Sequence, residues 1–273
     1  MGDADSMDDR FAGSIPHVYD TYLVPLIFEP YAADLARRLS AMSVSRVLEI
    51  AAGTGVLTRA LAAALPADVE IVATDLNQAM IDHAAEVGTS RAVVWRQADA
   101  MKLPFADGSF DAVVCQFGVM FFPDKGRAFA EARRVLRPGG VFVFNVWDTL
   151  ADNEVPDIVT AAVASIFPDD PPRFLARTPH GYHDTVVVAR DLAAGGFAAA
   201  PEVFTVEARS RAASARIPAI AFCQGTPLRN EIEARDPARL REATEVAAAA
   251  LAQRFGSGAI DGKICAHVFV VRA

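Results

Sequence analysis

The sequence has few cysteines, and they form no pattern that would hold a metal ion or a disulfide framework. Cys115, Cys223 and Cys265 are the three cysteines in 273 residues, and no C-x-x-C pair occurs. An odd number without framework spacing is typical of a reducing compartment, so we expect a cytoplasmic protein. The close pair His180 and His183 lacks a convincing set of further ligands, so the sequence predicts no metal site.

Positive charge and long apolar runs are also scarce. Lys and Arg number 26 against 34 Asp and Glu, which gives a net charge of −8, and no basic run occurs. Nucleic-acid binders carry basic patches, so we expect no nucleic-acid partner. No apolar run reaches the roughly 20 residues of a membrane helix, and the acidic start MGDADSMDDR is unlike a signal peptide. These absences favour a protein without a membrane span and without DNA or RNA as its main substrate.

The most informative stretch is VLEIAAGTG at residues 47–55. Three of its first four residues are apolar, as in a buried strand. Gly53 and Gly55 then form a tight turn before VLTRALAAAL, which has helical spacing. In such a strand–turn–helix unit, backbone N–H groups at the helix N-terminus face a ligand, and glycines let it approach closely. Glu49 places a carboxylate where a cationic ammonium group could dock.

This turn alone leaves several interpretations open. A dinucleotide fold requires G-x-G-x-x-G, whose third glycine is missing here, and the phosphate loop GxxxxGK[ST] is absent. A turn of this kind can also serve packing alone. The strands that follow are needed to choose between these alternatives.

Acidic residues stand at the ends of the next two predicted strands. VEIVATD (69–75) ends in Asp75, about 20 residues past the turn, where an acid can accept both ribose hydroxyls. Leu76 would then lie beside the base. AVVWRQAD (92–99) ends in Asp99, which can accept from an adenine amino group, while the Ala100 N–H can reach a ring nitrogen. Acids at three successive strand ends favour a neutral or cationic nucleoside over a phosphate.

The order of motifs resembles the class I S-adenosylmethionine-dependent methyltransferases. The matching segments are EIAAGTG, ATDLNQAM, QADAMKLPF, SFDAVVCQFGVMFFPD and RRVLRPGG. They are similar to the small-molecule group that includes the ubiquinone/menaquinone C-methyltransferases, closely over residues 44–147 and loosely elsewhere. The resemblance implies an α/β, Rossmann-like, doubly wound sheet of seven strands, mostly parallel with an antiparallel last strand, plus helical cap elements. Ala51 departs from the family, which usually has glycine there.

The resemblance also implies the cofactor and its contacts. S-adenosylmethionine would lie at the carboxyl ends of the strands, with Gln116 and Phe117 at its methionine end. The cofactor-binding residues so implied are Glu49, Ala51, Gly53, Gly55, Asp75, Leu76, Met80, Asp99, Ala100 and Gln116.

Two regions outside the core motifs are expected to cover the site. Residues 1–41 would form a helical cap segment, and 42–273 the methyltransferase domain, with cap insertions near 148–183 and 211–232. Insertions after the fifth strand lie over the carboxyl ends of the strands, where open α/β sheets bind ligands.

The methyl acceptor and the catalytic group are less well specified by the sequence. A general base is needed only if the acceptor must lose a proton. The candidates are Tyr19, His17, His180 and His183 for catalysis, and Tyr19, Tyr22, Phe117 and Arg229 for the acceptor pocket. QFGVMFFPD contains no asparagine–proline pair, which argues against amino-group methylation of DNA or of protein glutamine, and the choice between C-, O- and N-methylation stays open. Its apolar character suits an apolar or aromatic acceptor.

We therefore expect transfer of a methyl group to a small, apolar or aromatic molecule. An NAD(P)-dependent oxidoreductase and a non-catalytic S-adenosylmethionine-binding protein remain as alternatives. The sequence leaves the oligomeric state open, a homodimer included.

Overall fold

The computed structural model describes residues 15–273 and contains one seven-stranded sheet. The strands are β1 Arg46–Glu49, β2 Glu70–Asp75, β3 Val94–Gln97, β4 Phe110–Gln116, β5 Leu136–Trp147, β6 Glu202–Ala212 and β7 Ile260–Arg272. Their order in the sheet is β3-β2-β1-β4-β5-β7-β6, and β1 to β5 pair in parallel. The sheet is mostly parallel with one antiparallel strand, so the predicted fold class is confirmed.

Helices connect the strands and make up the segments outside the sheet. The α-helices are α1 Ile15–Val18, α2 Glu29–Ser40, α3 Val56–Ala64, α4 Gln78–Val87, α5 Lys125–Val135, α6 Glu154–Ile166, α7 Phe174–Arg177, α8 Thr185–Ala194, α9 Arg216–Gln224, α10 Leu228–Arg235 and α11 Leu240–Phe255. A π-helix, Tyr19–Phe28, lies between α1 and α2. Pro25 lies inside the π-helix, and Pro30 lies in the first turn of α2, where a missing backbone N–H is tolerated.

The core is built on the two faces of the sheet. On one face, Val47 and Val114 pack with Leu35 of α2 and Leu61 of α3 in a buried apolar cluster. On the other, aromatic rings stack: Phe144 lies 4.7 Å from Phe142 and 5.0 Å from Phe269, between ring centroids. Strands covered on both faces need apolar residues throughout, which is the pattern that identified them in the sequence.

One strand begins earlier than its hydrophobic pattern indicates. We predict the fifth strand over 141–147, whereas β5 begins at Leu136 and includes the sequence RPGG. Phe110 pairs with Leu136 and Ala112 pairs with Val141, so β5 bulges over 137–140. Polar and glycine residues are tolerated in a bulge, and for this reason the sequence pattern misplaces the boundary.

The chain divides into two compact units. One contains the described residues up to Phe28 together with Trp147–Gly181 and Glu207–Cys265, and the other contains Glu29–Val146, Tyr182–Val206 and Ala266–Ala273. The second unit holds β1 to β4 and almost all of β5. The division predicted at residue 41 stays a prediction. Within residues 15–273, no helix is both long and apolar enough to cross a membrane.

Candidate functional site

The glycine turn after β1 has an unusual backbone. Ala51, Gly53 and Gly55 all have positive φ, of 54°, 54° and 83°. The turn is fixed to β2 by the Ala52 N–H, which donates to the Thr74 carbonyl at 2.9 Å. A Cβ on Gly53 would meet nothing within 4 Å, so the space beside the turn is open. The left-handed conformation costs a residue with a Cβ about 1–2 kcal/mol. Ala51 therefore carries backbone strain at this turn.

We predict that replacing Ala51 by glycine stabilises the protein. Glycine adopts the left-handed conformation without a steric penalty, so the free energy of unfolding should rise by about 1 kcal/mol in urea denaturation. Ala52→Gly is the matched control. Ala52 has an ordinary φ, so glycine there only adds conformational freedom to the unfolded chain and should lower the stability. A destabilised Ala51→Gly variant would show that the Ala51 methyl contact outweighs the strain.

Asp75, at the end of β2, holds the glycine turn directly. Its Oδ2 accepts the Gly53 N–H at 2.8 Å, and its Oδ1 accepts the Asn77 N–H at 2.9 Å. Burial raises the pKa of this carboxyl, and the backbone donors Asn77, Gly53 and Leu76 oppose that shift. Leu76 beside it is 58% exposed, an unusual position for a large apolar side chain. The two carboxylate oxygens together offer about four lone pairs, so Asp75 can clamp the turn and still accept a hydrogen bond from a ligand hydroxyl group.

Glu49, at the end of β1, is buried with 1% of its surface exposed. Its Oε2 accepts a hydrogen bond from the Thr58 hydroxyl of α3 at 2.6 Å. Desolvation raises the pKa of Glu49 to about 8, the Thr58 hydrogen bond and the charge of Arg59 lower it, and the charge of Asp75 raises it further. The carboxyl is therefore largely neutral at pH 7, and a cation placed against it would favour the charged form.

The residues after β3 form a tight turn. The Asp99 carboxylate accepts the Met101 N–H at 2.8 Å, and the Lys102 N–H donates to the Asp99 carbonyl at 2.9 Å. Asp99 and Ala100 are both partly buried, and Met80 of α4 is buried. Because β3, β2 and β1 are adjacent and parallel, the acidic residues 99, 75 and 49 lie in this order along one edge of the sheet.

The end of β4 continues this edge. Phe117 has a positive φ of 51°. Its N–H donates a hydrogen bond to the Oδ1 of Asn145 on β5 at 2.8 Å. Its ring packs edge-on against Tyr31, with 5.2 Å between the ring centroids. A Cβ on Gly118 would lie 2.5 Å from the Ala51 Cβ, so only glycine fits there without rearrangement. The two left-handed segments, at residues 51 and 117, are therefore in close contact through Gly118. Sequence reasoning missed Asn145, whose only signal is an amide inside an apolar strand.

A row of four rings lies in the compact unit that contains Trp147. Tyr19 stacks on Phe28 at 5.2 Å, Phe28 lies 6.1 Å from Trp147, and Trp147 lies 5.9 Å from His180. We call these four residues the aromatic row. It brings together two predicted catalytic candidates, Tyr19 and His180, which are far apart in the sequence. Trp147, which connects them, was not predicted.

His180 is buried, and its tautomer follows from its partner. Its Nδ1 lies 2.9 Å from the Asp148 carbonyl oxygen, which can only accept a hydrogen bond. In the neutral ring the proton is therefore on Nδ1, and Nε2 carries a lone pair. This is the form that a general base requires.

The other predicted residues lie outside the aromatic row. His17 is exposed on α1, Tyr22 is partly buried on the π-helix, and His183 is partly buried before α8. Arg229 forms an ion pair of 2.8 Å with Glu233, one turn along α10, so an anionic acceptor would have to compete with that carboxylate. Among the residues that the structure describes, no group of three His, Cys, Asp or Glu side chains could hold a metal ion.

Comparison with known proteins finds a family model that is similar to the part of the chain that carries this edge. Residues 48–144 match a family model described as a methyltransferase domain. A ubiquinone/menaquinone biosynthesis C-methyltransferase of Saccharophagus degradans is 33% identical over 140 residues, which are 50% of this chain and 51% of that protein. A demethylmenaquinone methyltransferase of Deinococcus radiodurans is 41% identical over 105 residues, 38% of this chain and 43% of that protein.

A solved structure resembles nearly the whole chain. A SAM-dependent methyltransferase of Thermotoga maritima superposes with a TM-score of 0.55 over 98% of this chain and 99% of that one, at 15% identity. At this identity the likeness shows the fold alone. The sequence matches cover 51% and 43% of these two curated relatives, so the chain spans about half the length of those proteins. Together these matches confirm the resemblance that the motifs predict.

Proposed function

We propose that this protein transfers the methyl group of S-adenosylmethionine to a small molecule with an apolar or aromatic body. The observation that carries the proposal is the row of polar groups along one edge of the sheet. Asp99, Asp75, Glu49 and Gln116 follow the adjacent strands β3, β2, β1 and β4, inside the stretch that matches a methyltransferase domain. In this order Asp99 matches an adenine, Asp75 matches a ribose, and Glu49 and Gln116 match the amino-acid end of the cofactor.

Three features of the described structure fit the cofactor. The space beside Gly53 is open, so a ligand can lie against the turn. Leu76 offers an exposed apolar surface next to Asp75, as an adenine ring would need beside a ribose. The groups that follow these strand ends are three carboxyl groups and one amide, which suits a cationic sulfonium with an ammonium group. When bound, this cofactor supplies an electrophilic methyl group on sulfur.

The protein's own contribution would be positioning and exclusion of water. Asp75 and the glycine turn fix the nucleoside, and the buried end of β4 fixes the methionine end. In-line methyl transfer gains much of its acceleration from such alignment and desolvation.

An oxygenated aromatic ring is the acceptor class that the similar proteins favour. Two similar proteins are described as acting in ubiquinone or menaquinone biosynthesis and on demethylmenaquinone, which are quinone compounds. A cytoplasmic location is part of the proposal, supported by three free, buried cysteines. The dinucleotide alternative lacks its third glycine, and the binding-only alternative has no observation in its favour.

Calorimetric titration with S-adenosylmethionine and, separately, with NADH tests the cofactor. We expect binding of S-adenosylmethionine at micromolar concentration and none of NADH, and binding of NADH alone would refute the proposal. Release of S-adenosylhomocysteine is then measured with 1,4-dihydroxynaphthalene as the probe acceptor under anaerobic conditions. Histamine serves as the amine control. Turnover of histamine without turnover of the naphthol would refute the acceptor class and leave the cofactor assignment intact.

A further inference from the structure

Asn145 is the one asparagine in the apolar strand β5, and it lies beside the proposed methionine end. It pairs in register with Gln116 of β4. Since side chains alternate along a strand, Asn145 shares a face of the sheet with Val143, and Gln116 with Val114, both members of the buried cluster. Glu49 occupies the same face of β1. These three polar side chains lie at the carboxyl end of an otherwise apolar face of the sheet. Glu49 is 1% exposed, Gln116 is 9% exposed and Asn145 is 0% exposed.

The Asn145 amide has one well-defined partner and one unsatisfied atom. Its Oδ1 accepts the Phe117 N–H at 2.8 Å, and this contact fixes the amide orientation because only the oxygen can accept. Its Nδ2 is buried and has no hydrogen-bond partner among residues 15–273. A buried, half-satisfied amide is unfavourable compared with an apolar side chain of similar shape, so packing alone does not explain asparagine here.

The partner of Asn145 is a strained residue. Phe117 and Ala51 are the two non-glycine residues with positive φ among those that the structure describes. Strained conformations persist where surrounding contacts determine them, and they concentrate at functional sites. Asn145 supplies such a contact. The conformation of Phe117 in turn places Gly118 against Ala51, so the end of β4 is seated on the glycine turn.

We infer that Asn145 is a positioning residue, which acts through Phe117 to hold the methionine subsite of the cofactor site in shape. This inference rests on the proposed function. The nucleoside subsite is held by separate contacts, those of Asp75 with Gly53 and Asn77. Loss of Asn145 should therefore affect ligands that carry the amino-acid end and leave others unchanged.

The test compares two ligands that differ in that end. S-adenosylhomocysteine carries the amino-acid group, and 5′-methylthioadenosine lacks it. For Asn145→Ala we expect the affinity for S-adenosylhomocysteine to fall roughly tenfold, as for loss of one hydrogen bond, with the affinity for 5′-methylthioadenosine within about twofold of the wild type. Asn145→Asp keeps an oxygen for the Phe117 N–H and should restore most of the loss. Equal losses for both ligands, or an aspartate variant as weak as the alanine variant, would overturn the inference.

A second comparison asks whether Asn145 acts through Phe117. In a Phe117→Gly background, residue 117 takes a positive φ at no steric cost. Adding Asn145→Ala there should change the S-adenosylhomocysteine affinity by less than about twofold, and a full tenfold loss would show that Asn145 acts by another route. Should Asn145→Ala not fold, Asn145→Ser, whose shorter side chain cannot span the contact, takes its place. A wild-type protein that binds neither ligand would instead refute the proposed function.

Discussion

Replacing Asp75 by alanine should lower the affinity for S-adenosylmethionine at least a hundredfold, to below detection in a calorimetric titration. Its carboxylate accepts backbone N–H groups from both Gly53 and Asn77. In the proposed complex it also accepts both ribose hydroxyls. Hydrogen bonds to a charged group contribute about 1.5–3 kcal/mol each, so losing two to the ribose corresponds to a factor of a hundred or more. The loosened glycine turn would add to the loss.

Two variants separate the ribose contact from the clamp on the turn. Asp75→Asn keeps one oxygen acceptor and the shape of the side chain, so it should bind more tightly than the alanine variant and more weakly than the wild type. Asp82→Ala, at an exposed position on α4, removes an acid from the same region and should leave the affinity unchanged. Unchanged binding by Asp75→Ala would refute the ribose assignment. Thermal unfolding with and without cofactor shows whether the variant is folded.

The residues of this edge that could be predicted from the sequence are those that follow a recognisable apolar strand within a few residues. The glycine turn and Asp75 directly follow apolar strands in the sequence. Because β1 and β2 pair in parallel, their carboxyl ends lie at one edge of the sheet, independent of the loop conformations. Periodicity therefore identifies both the fold class and this part of the candidate site.

What could not be predicted depends on contacts between residues distant in the sequence. The hydrogen bond from Phe117 to Asn145 spans 28 residues. Gly118 is required because the neighbouring turn carries the Ala51 methyl, and no local pattern contains that information. The same holds for the aromatic row, in which Phe28 and Trp147 lie between Tyr19 and His180. Sequence spacing gives the residue types at each strand end, whereas the strain and the partner of each side chain come only from the packed structure.

Glu49 makes the stability of the protein depend on pH in a direction opposite to that of most carboxylates. Its pKa is raised to about 8 in the folded protein by burial, from 4.5. Between these values the folded state holds a proton that the unfolded state has lost, so stability falls as pH rises. The slope is about 1.4 kcal/mol per pH unit for one such group. Below this range both states are protonated, and above pH 8 both are ionised, so the contribution is constant there.

Glu49→Gln should remove this dependence. Glutamine has the same shape and no charge, and its oxygen can still accept the Thr58 hydroxyl. At pH 8 the free energy of unfolding of the variant should exceed that of the wild type by a few kcal/mol, because about 1.4 kcal/mol accumulates for each pH unit above 4.5. At pH 6 the difference should be smaller. Urea denaturation at pH 6, 7 and 8 measures this difference. Parallel pH profiles for the two proteins would contradict it.

The same variant tests whether Glu49 meets the ammonium group of the cofactor. A cation placed against a largely protonated carboxyl lowers its pKa, so binding of S-adenosylmethionine at pH 7 should release up to one proton from Glu49. Calorimetry in buffers of different ionisation enthalpy counts the protons released. The pKa of Asp75 is also raised by burial, so Asp75 can release a proton as well. That release still occurs in the Glu49→Gln variant. The difference between the two proteins therefore belongs to Glu49, and equal proton release would mean that Glu49 only braces β1 against α3.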